Sequence, residues 1–143
     1  MSSTTHRRKI LVIDDERIVA ETLALVFSRP GFESRVAHSA EEAIDVIALW
    51  EPDTAFVDVM LPGTNGVEFA RALKDQYPHC NVVLMSGHPK SAELVERARS
   101  EWQSLVILPK PLEPIRFLEI ARRGNSEMPA SSDAAPGKTE DLC

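Results

Sequence analysis

The stretch Ala55-Phe56-Val57-Asp58-Val59-Met60-Leu61-Pro62-Gly63-Thr64-Asn65-Gly66 decides how this chain is read. A run of apolar residues carries one carboxylate to its end, and a Pro/Gly/Asn/Gly turn follows. Asp58 therefore stands where a buried strand meets a loop, the place at which open parallel sheets put their chemistry. Three further stretches share this design. Lys9-Ile10-Leu11-Val12-Ile13-Asp14-Asp15-Glu16 ends on adjacent acids, Val82-Val83-Leu84-Met85-Ser86-Gly87 on a hydroxyl, and Leu105-Val106-Ile107-Leu108-Pro109-Lys110-Pro111 on a lysine. Four apolar strands thus deliver acids, a hydroxyl and a cation to one edge. That composition suits a divalent metal and a phosphoryl group.

Working outward, the spacing predicts five strands, Lys9–Ile13, Glu33–Ala37, Thr54–Val59, Asn81–Met85 and Leu105–Leu108, each followed by a helix. Ile18, Val19, Leu23, Val26 and Phe27 recur at helical spacing until Pro30-Gly31 ends the first helix. Ser39-Ala40-Glu41-Glu42 reads as a capping box for a second that stops before Pro52. A third is expected from Asn65 to about Gln76. Pro89 or Ser91 opens the fourth, and Pro111-Leu112 the fifth. Near-continuous Val/Ile/Leu strands alternating with helices predict an α/β fold, a doubly wound five-stranded parallel sheet with helices on both faces. The polar Glu33–Ala37 belongs at an edge.

A chain of 143 residues with ordinary apolar and charged fractions is one domain able to bury its own core. No apolar run approaches the roughly 18 residues of a membrane span. Residues 1–8 read as a flexible basic start that does not match a secretory signal, so a cytoplasmic location is expected. Residues 9–123 form the domain. Residues 124–143, rich in Gly, Pro, Ser and acids, read as a disordered polar tail with no second domain after it. A net charge of −6 without a basic stripe argues against direct nucleic-acid binding. Cys80 and Cys143 lie far apart in sequence and read as reduced thiols. His38, His79 and His88 lack metal-ligand spacing and read as surface or loop residues. Trp50 and Trp102 read as helix-end packing residues.

Asp14-Asp15, Asp58, the Met60-Leu61-Pro62-Gly63 turn closed by Gly66, Ser86 and Lys110-Pro111, in that order and each closing an apolar strand, make the chain resemble the receiver domain of bacterial two-component response regulators. The resemblance covers roughly residues 8 to 123 and implies the flavodoxin-like (βα)5 receiver fold. It implies that Asp58 is the nucleophile taking a phosphoryl group from a histidine kinase or phosphotransfer protein. By the same resemblance Asp14, Asp15, Asp58 and the backbone carbonyl of Met60 hold Mg²⁺, Lys110 balances the phosphoryl charge, and the Ser86 hydroxyl swings onto the phosphoryl oxygen. The Lys110–Pro111 bond is expected to be cis. Docking of the donor is expected along the exposed part of the first helix, near Arg17, Ile18 and Glu21, and at the Pro111-Leu112 loop. Ile107 stands where many members carry a switching aromatic, so loop and helix movement would have to carry the output signal.

Taken singly, each motif has a plainer meaning. Asp14-Asp15-Glu16 fits the acidic start of a helix, Asp58 an Asx turn, Ser86-Gly87 an ordinary turn and Lys110 a solvated strand end. Their coincidence favours the site. A haloacid-dehalogenase-type phosphatase also uses a strand-end Asp with Mg²⁺, but needs a second acid where Met60 stands. A receiver-like interaction module that is never phosphorylated is the other alternative. The chain is therefore expected to be a phosphoacceptor that switches the binding surface of a downstream protein, not an enzyme acting on a separate substrate.

Overall fold

The computed structural model describes residues 8–87, 91–102, 104–110 and 113–123. In order they form β1 (Lys9–Ile13), α1 (Arg17–Ser28), β2 (Glu33–Ala37), α2 (Ala40–Leu49), β3 (Thr54–Asp58), β4 (Met60–Leu61), β5 (Thr64–Asn65), α3 (Gly66–Gln76), β6 (Asn81–Ser86), α4 (Ala92–Glu101), β7 (Val106–Pro109) and α5 (Pro114–Arg123). Five strands make one parallel sheet in the order β2-β1-β3-β6-β7, so the expected doubly wound fold is present.

Side-chain alternation along the strands sorts the core into two layers. Leu11, Ile13, Ala55, Val57, Val82 and Leu84 point to one face and are covered by Ala40, Ala43 and Ile47 of α2, Val67, Ala70 and Leu73 of α3, and Ala98 of α4. Ile10, Val12, Phe56, Val83, Met85 and Leu108 point to the other, under Ala20, Leu23 and Phe27 of α1 and Phe117 and Ala121 of α5. In this second layer Phe56 stacks on Phe27 at 5.3 Å and meets Phe117 at 5.1 Å, tying β3 to both helices.

Local signals set the element ends. Ser39 caps α2 by accepting from Glu42 N at 3.1 Å, while Glu42 reaches one residue beyond the usual box to accept from His38 N at 2.8 Å. Gly31, at φ 101°, ends the α1 turn before β2. Polar β2 lies at a sheet edge as expected. So does β7, where Pro109 is tolerated because no strand needs its missing N–H.

Several boundaries differ from the expectation. β3 stops at Asp58, and the turn behind it contains an antiparallel pair, Met60–Leu61 with Thr64–Asn65, where only a turn was expected. Asn65 caps α3 by accepting from Val67 N, so the helix starts at Gly66. β6 extends to Ser86, β7 runs one residue later than expected, and α5 starts at Pro114. Trp50 is buried, donates to Glu33 at 2.9 Å and lies under the Arg35 guanidinium at 4.7 Å, a packing role. Cys80 is buried and unpaired, and burial pushes its thiol up to about 12. Residues 1–7, His88, Pro111-Leu112 with the expected cis bond, and residues 124–143 with Cys143 lie outside the described residues.

Candidate functional site

The sheet register brings the charged residues together. Val12 pairs with Phe56, and two residues on, with the same side-chain parity, stand Asp14 and Asp58. Lys110 stands two residues beyond Leu108, which pairs with Met85 of β6 on that same face. All three therefore project from the carboxyl end of the sheet on the side covered by α1 and α5.

The Lys110 ammonium lies 2.7 Å from Asp14 Oδ2, 3.0 Å from Glu16 Oε1 and 3.1 Å from Asp58 Oδ2. It donates well-formed hydrogen bonds to Glu16 and Asp58. The pair with Asp14 is the shortest, and Asp14 is fully buried. The other Asp14 oxygen accepts from Glu16 N at 2.9 Å, and Asp58 Oδ1 accepts from Met60 N at 3.1 Å. Those backbone donors hold both carboxylates in place.

Burial raises the Asp58 carboxyl to about 6; Met60 N–H and Lys110 oppose the rise, and the neighbouring Asp14 charge adds to it. Burial alone lowers Lys110, but the surrounding carboxylates outweigh it and push its affinity for a proton above the usual lysine range. Carboxylate oxygens of Asp14, Glu16 and Asp58 lie within 4.8 Å of one another. Hard oxygen donors, two of them on buried aspartates, and three carboxylates around one ammonium fit a divalent cation such as Mg²⁺. A cavity of about 500 Å³ opens on the cluster, lined by Asp15, Glu16, Val19, Asp58, Met60, Gly87 and Lys110.

Two glycines make this arrangement possible. A Cβ on Gly66 would lie 2.0 Å from the Asp58 carbonyl oxygen, and one on Gly87 would lie 2.5 Å from Lys110 Cβ. The first lets α3 begin against the end of β3, and the second lets the lysine stem pass.

Not every candidate joins the cluster. Asp15 is exposed and lines the cavity without belonging to the close carboxylate group. Ser86 has the opposite parity, shared with Leu84, and its Oγ lies 2.8 Å from Ser91 Oγ instead of meeting the acids. From the sequence, Glu16 is expected only as part of the acidic start of a helix. It is the N-cap residue of α1, yet its side chain makes no cap bond and reaches Lys110. The run of three acids was the available signal, but the long-range contact with residue 110 is not visible in it.

The family model described as "Response regulator receiver domain" matches residues 10–122. This chain is a response regulator receiver domain. It is 30% identical over 127 residues to the DNA-binding response regulator MtrA of Mycolicibacterium smegmatis, covering 88% of this chain and 55% of that protein. It is 31% identical over 128 residues to the response regulator MprA of Mycobacterium avium, covering 88% of this chain and 56% of that protein. The receiver thus spans just over half the length of these relatives. Among solved structures, the receiver domain of NtrX from Brucella abortus aligns with a TM-score of 0.69 and 31% identity, over 80% of this chain and 95% of that one. A response regulator from Burkholderia pseudomallei "with a phosphorylated aspartic acid, calcium ion and citrate" aligns with a TM-score of 0.67 and 28% identity, over 78% and 64%. No helix among the described residues of the receiver is long and apolar enough to cross a membrane.

Proposed function

We propose that this receiver is the phosphoacceptor of a two-component pathway and that Asp58 takes the phosphoryl group from a phosphohistidine on a kinase or phosphotransfer protein. The observation that carries the reading is Asp58 itself: a buried strand-end carboxylate held by Met60 N–H and faced by the Lys110 ammonium at 3.1 Å. A phosphorylated aspartate and a calcium ion in the Burkholderia pseudomallei relative support it.

In the step, an Asp58 carboxylate oxygen forms a bond to phosphorus as the phosphorus–nitrogen bond of the donor breaks, and the leaving imidazole takes up a proton. Asp58 must be ionised to attack, and Lys110 favours that form. Asp14, Asp15, Asp58 and the Met60 carbonyl would hold Mg²⁺, which when bound neutralises charge on the carboxylates and the incoming phosphoryl oxygens. Lys110 then pairs with the phosphoryl group, and Ser86 leaves Ser91 to donate its hydroxyl to a phosphoryl oxygen. That movement changes the loop after β6 and the surface of α4, β7 and α5 presented to a downstream protein. Half-buried Ile107 packs against the core, and we assign it no switching role. We place this activity in the cytoplasm, with no direct contact to nucleic acid by the receiver and no reaction on a separate substrate.

Intact mass after incubation with acetyl phosphate and Mg²⁺ tests the reading. A metal-dependent gain of about 80 Da that is absent in Asp58→Asn supports it. No gain, together with no binding of beryllofluoride, returns the domain to an interaction module that is never phosphorylated.

A further inference from the structure

Lys110 and a divalent cation want the same oxygens. The ammonium contacts both buried aspartates, and a cation drawn to Asp14 and Asp58 would meet a positive charge already there. Lys110 cannot simply swing into solvent, because its side chain is 14% exposed and its stem passes against Gly87. Glu16 offers the third contact on the same nitrogen, at 3.0 Å, from a side chain that is 62% exposed and not engaged in capping α1. Its exposed carboxylate holds the ammonium from the solvent side of the cluster, opposite the two buried aspartates.

We propose that Glu16 is a positioning residue that receives the Lys110 ammonium when the two buried aspartates turn to a divalent cation, and so sets metal affinity through Lys110. This rests on the phosphoacceptor reading above. It differs from making Glu16 a metal ligand, which its closeness to Asp14 and Asp58 would also allow. Without the Glu16 charge, Lys110 has only Asp14 and Asp58 to pair with and competes harder for them. With Lys110 gone, nothing remains for Glu16 to position.

A double-mutant cycle separates the two roles, with Mg²⁺ affinity measured by calorimetric titration of wild type, Glu16→Gln, Lys110→Met and the double variant. Moderate salt screens the bare field of one exposed carboxylate. Glu16→Gln is expected to weaken Mg²⁺ binding about two- to fivefold in the wild-type background, the scale of one exposed ion pair. In the Lys110→Met background the loss should shrink to less than half of that. Lys110→Gln replaces Lys110→Met if the latter does not fold. An equal loss in both backgrounds makes Glu16 a ligand and overturns the positioning role while leaving the phosphoacceptor reading intact. No loss in the wild-type background also overturns it. A wild-type protein that binds no Mg²⁺ removes both readings.

Discussion

Asp58 is held in a site that opposes its own charge. Burial raises its carboxyl from the usual 3.8 to about 6, so the native state binds this proton more tightly than the unfolded chain. The stability it contributes is present in full below about pH 4 and is lost as pH rises through about 6. At neutral pH Asp58→Asn should therefore stabilise the fold by on the order of 1–3 kcal/mol. Urea denaturation at pH 4 and pH 7.5 checks this: the two proteins should differ at the higher pH and converge at the lower. A variant no more stable than wild type at pH 7.5 would mean that the carboxylate is better compensated than its burial indicates.

At the scale of elements, the phosphoacceptor loop is built by contact between β3 and the first turn of α3. Gly66 N donates to Val59 O at 2.9 Å, and its Cα lies so close to the Asp58 carbonyl that a methyl group has no room. The obstacle is backbone, so relief requires moving the helix start or the strand end. Gly66→Ala should destabilise by about 1–3 kcal/mol, the usual cost of overpacking, and should impair phosphoryl uptake beyond the fraction unfolded. Denaturation midpoints and acetyl phosphate labelling measured on the same sample separate the two effects. Wild-type behaviour in both would show that the loop yields easily. The β4–β5 pair and the Asn65 cap belong to this same small unit, which explains why a segment read as a turn carries regular hydrogen bonding.

The whole molecule has a core on each side of the sheet, and the α1–α5 side also carries the site. Phe56 lies between Phe27 and Phe117 with no exposure, so Phe56→Ala should cost about 3–5 kcal/mol. That is a large part of the stability of a domain this size, and thermal unfolding should show a much lower midpoint. Beyond that core, the first turn of α1 leaves Ile18 81% exposed. If the donor protein docks there, Ile18→Ala should slow transfer from a phosphohistidine protein several-fold more than from acetyl phosphate. Equal rates with both donors would remove α1 from the docking surface.

The strand runs, the parallel sheet and the helices on both faces were legible because burial on both sides of a strand demands a continuous apolar run. Asp14, Asp58, Ser86 and Lys110 were legible as candidates because each polar residue closes such a run. The Ser39 cap made the start of α2 readable to the residue; the start of α3, also capped, came one position later than read, and ends lacking a cap drifted by one to three positions. Sequence could not show that Asp14, Glu16 and Asp58 converge on one ammonium while Asp15 stays exposed and Ser86 faces Ser91. Those facts depend on strand register and side-chain parity across segments up to 96 residues apart (14 to 110). Local pattern determined which residues reach the sheet edge, and only tertiary packing decided which of them touch.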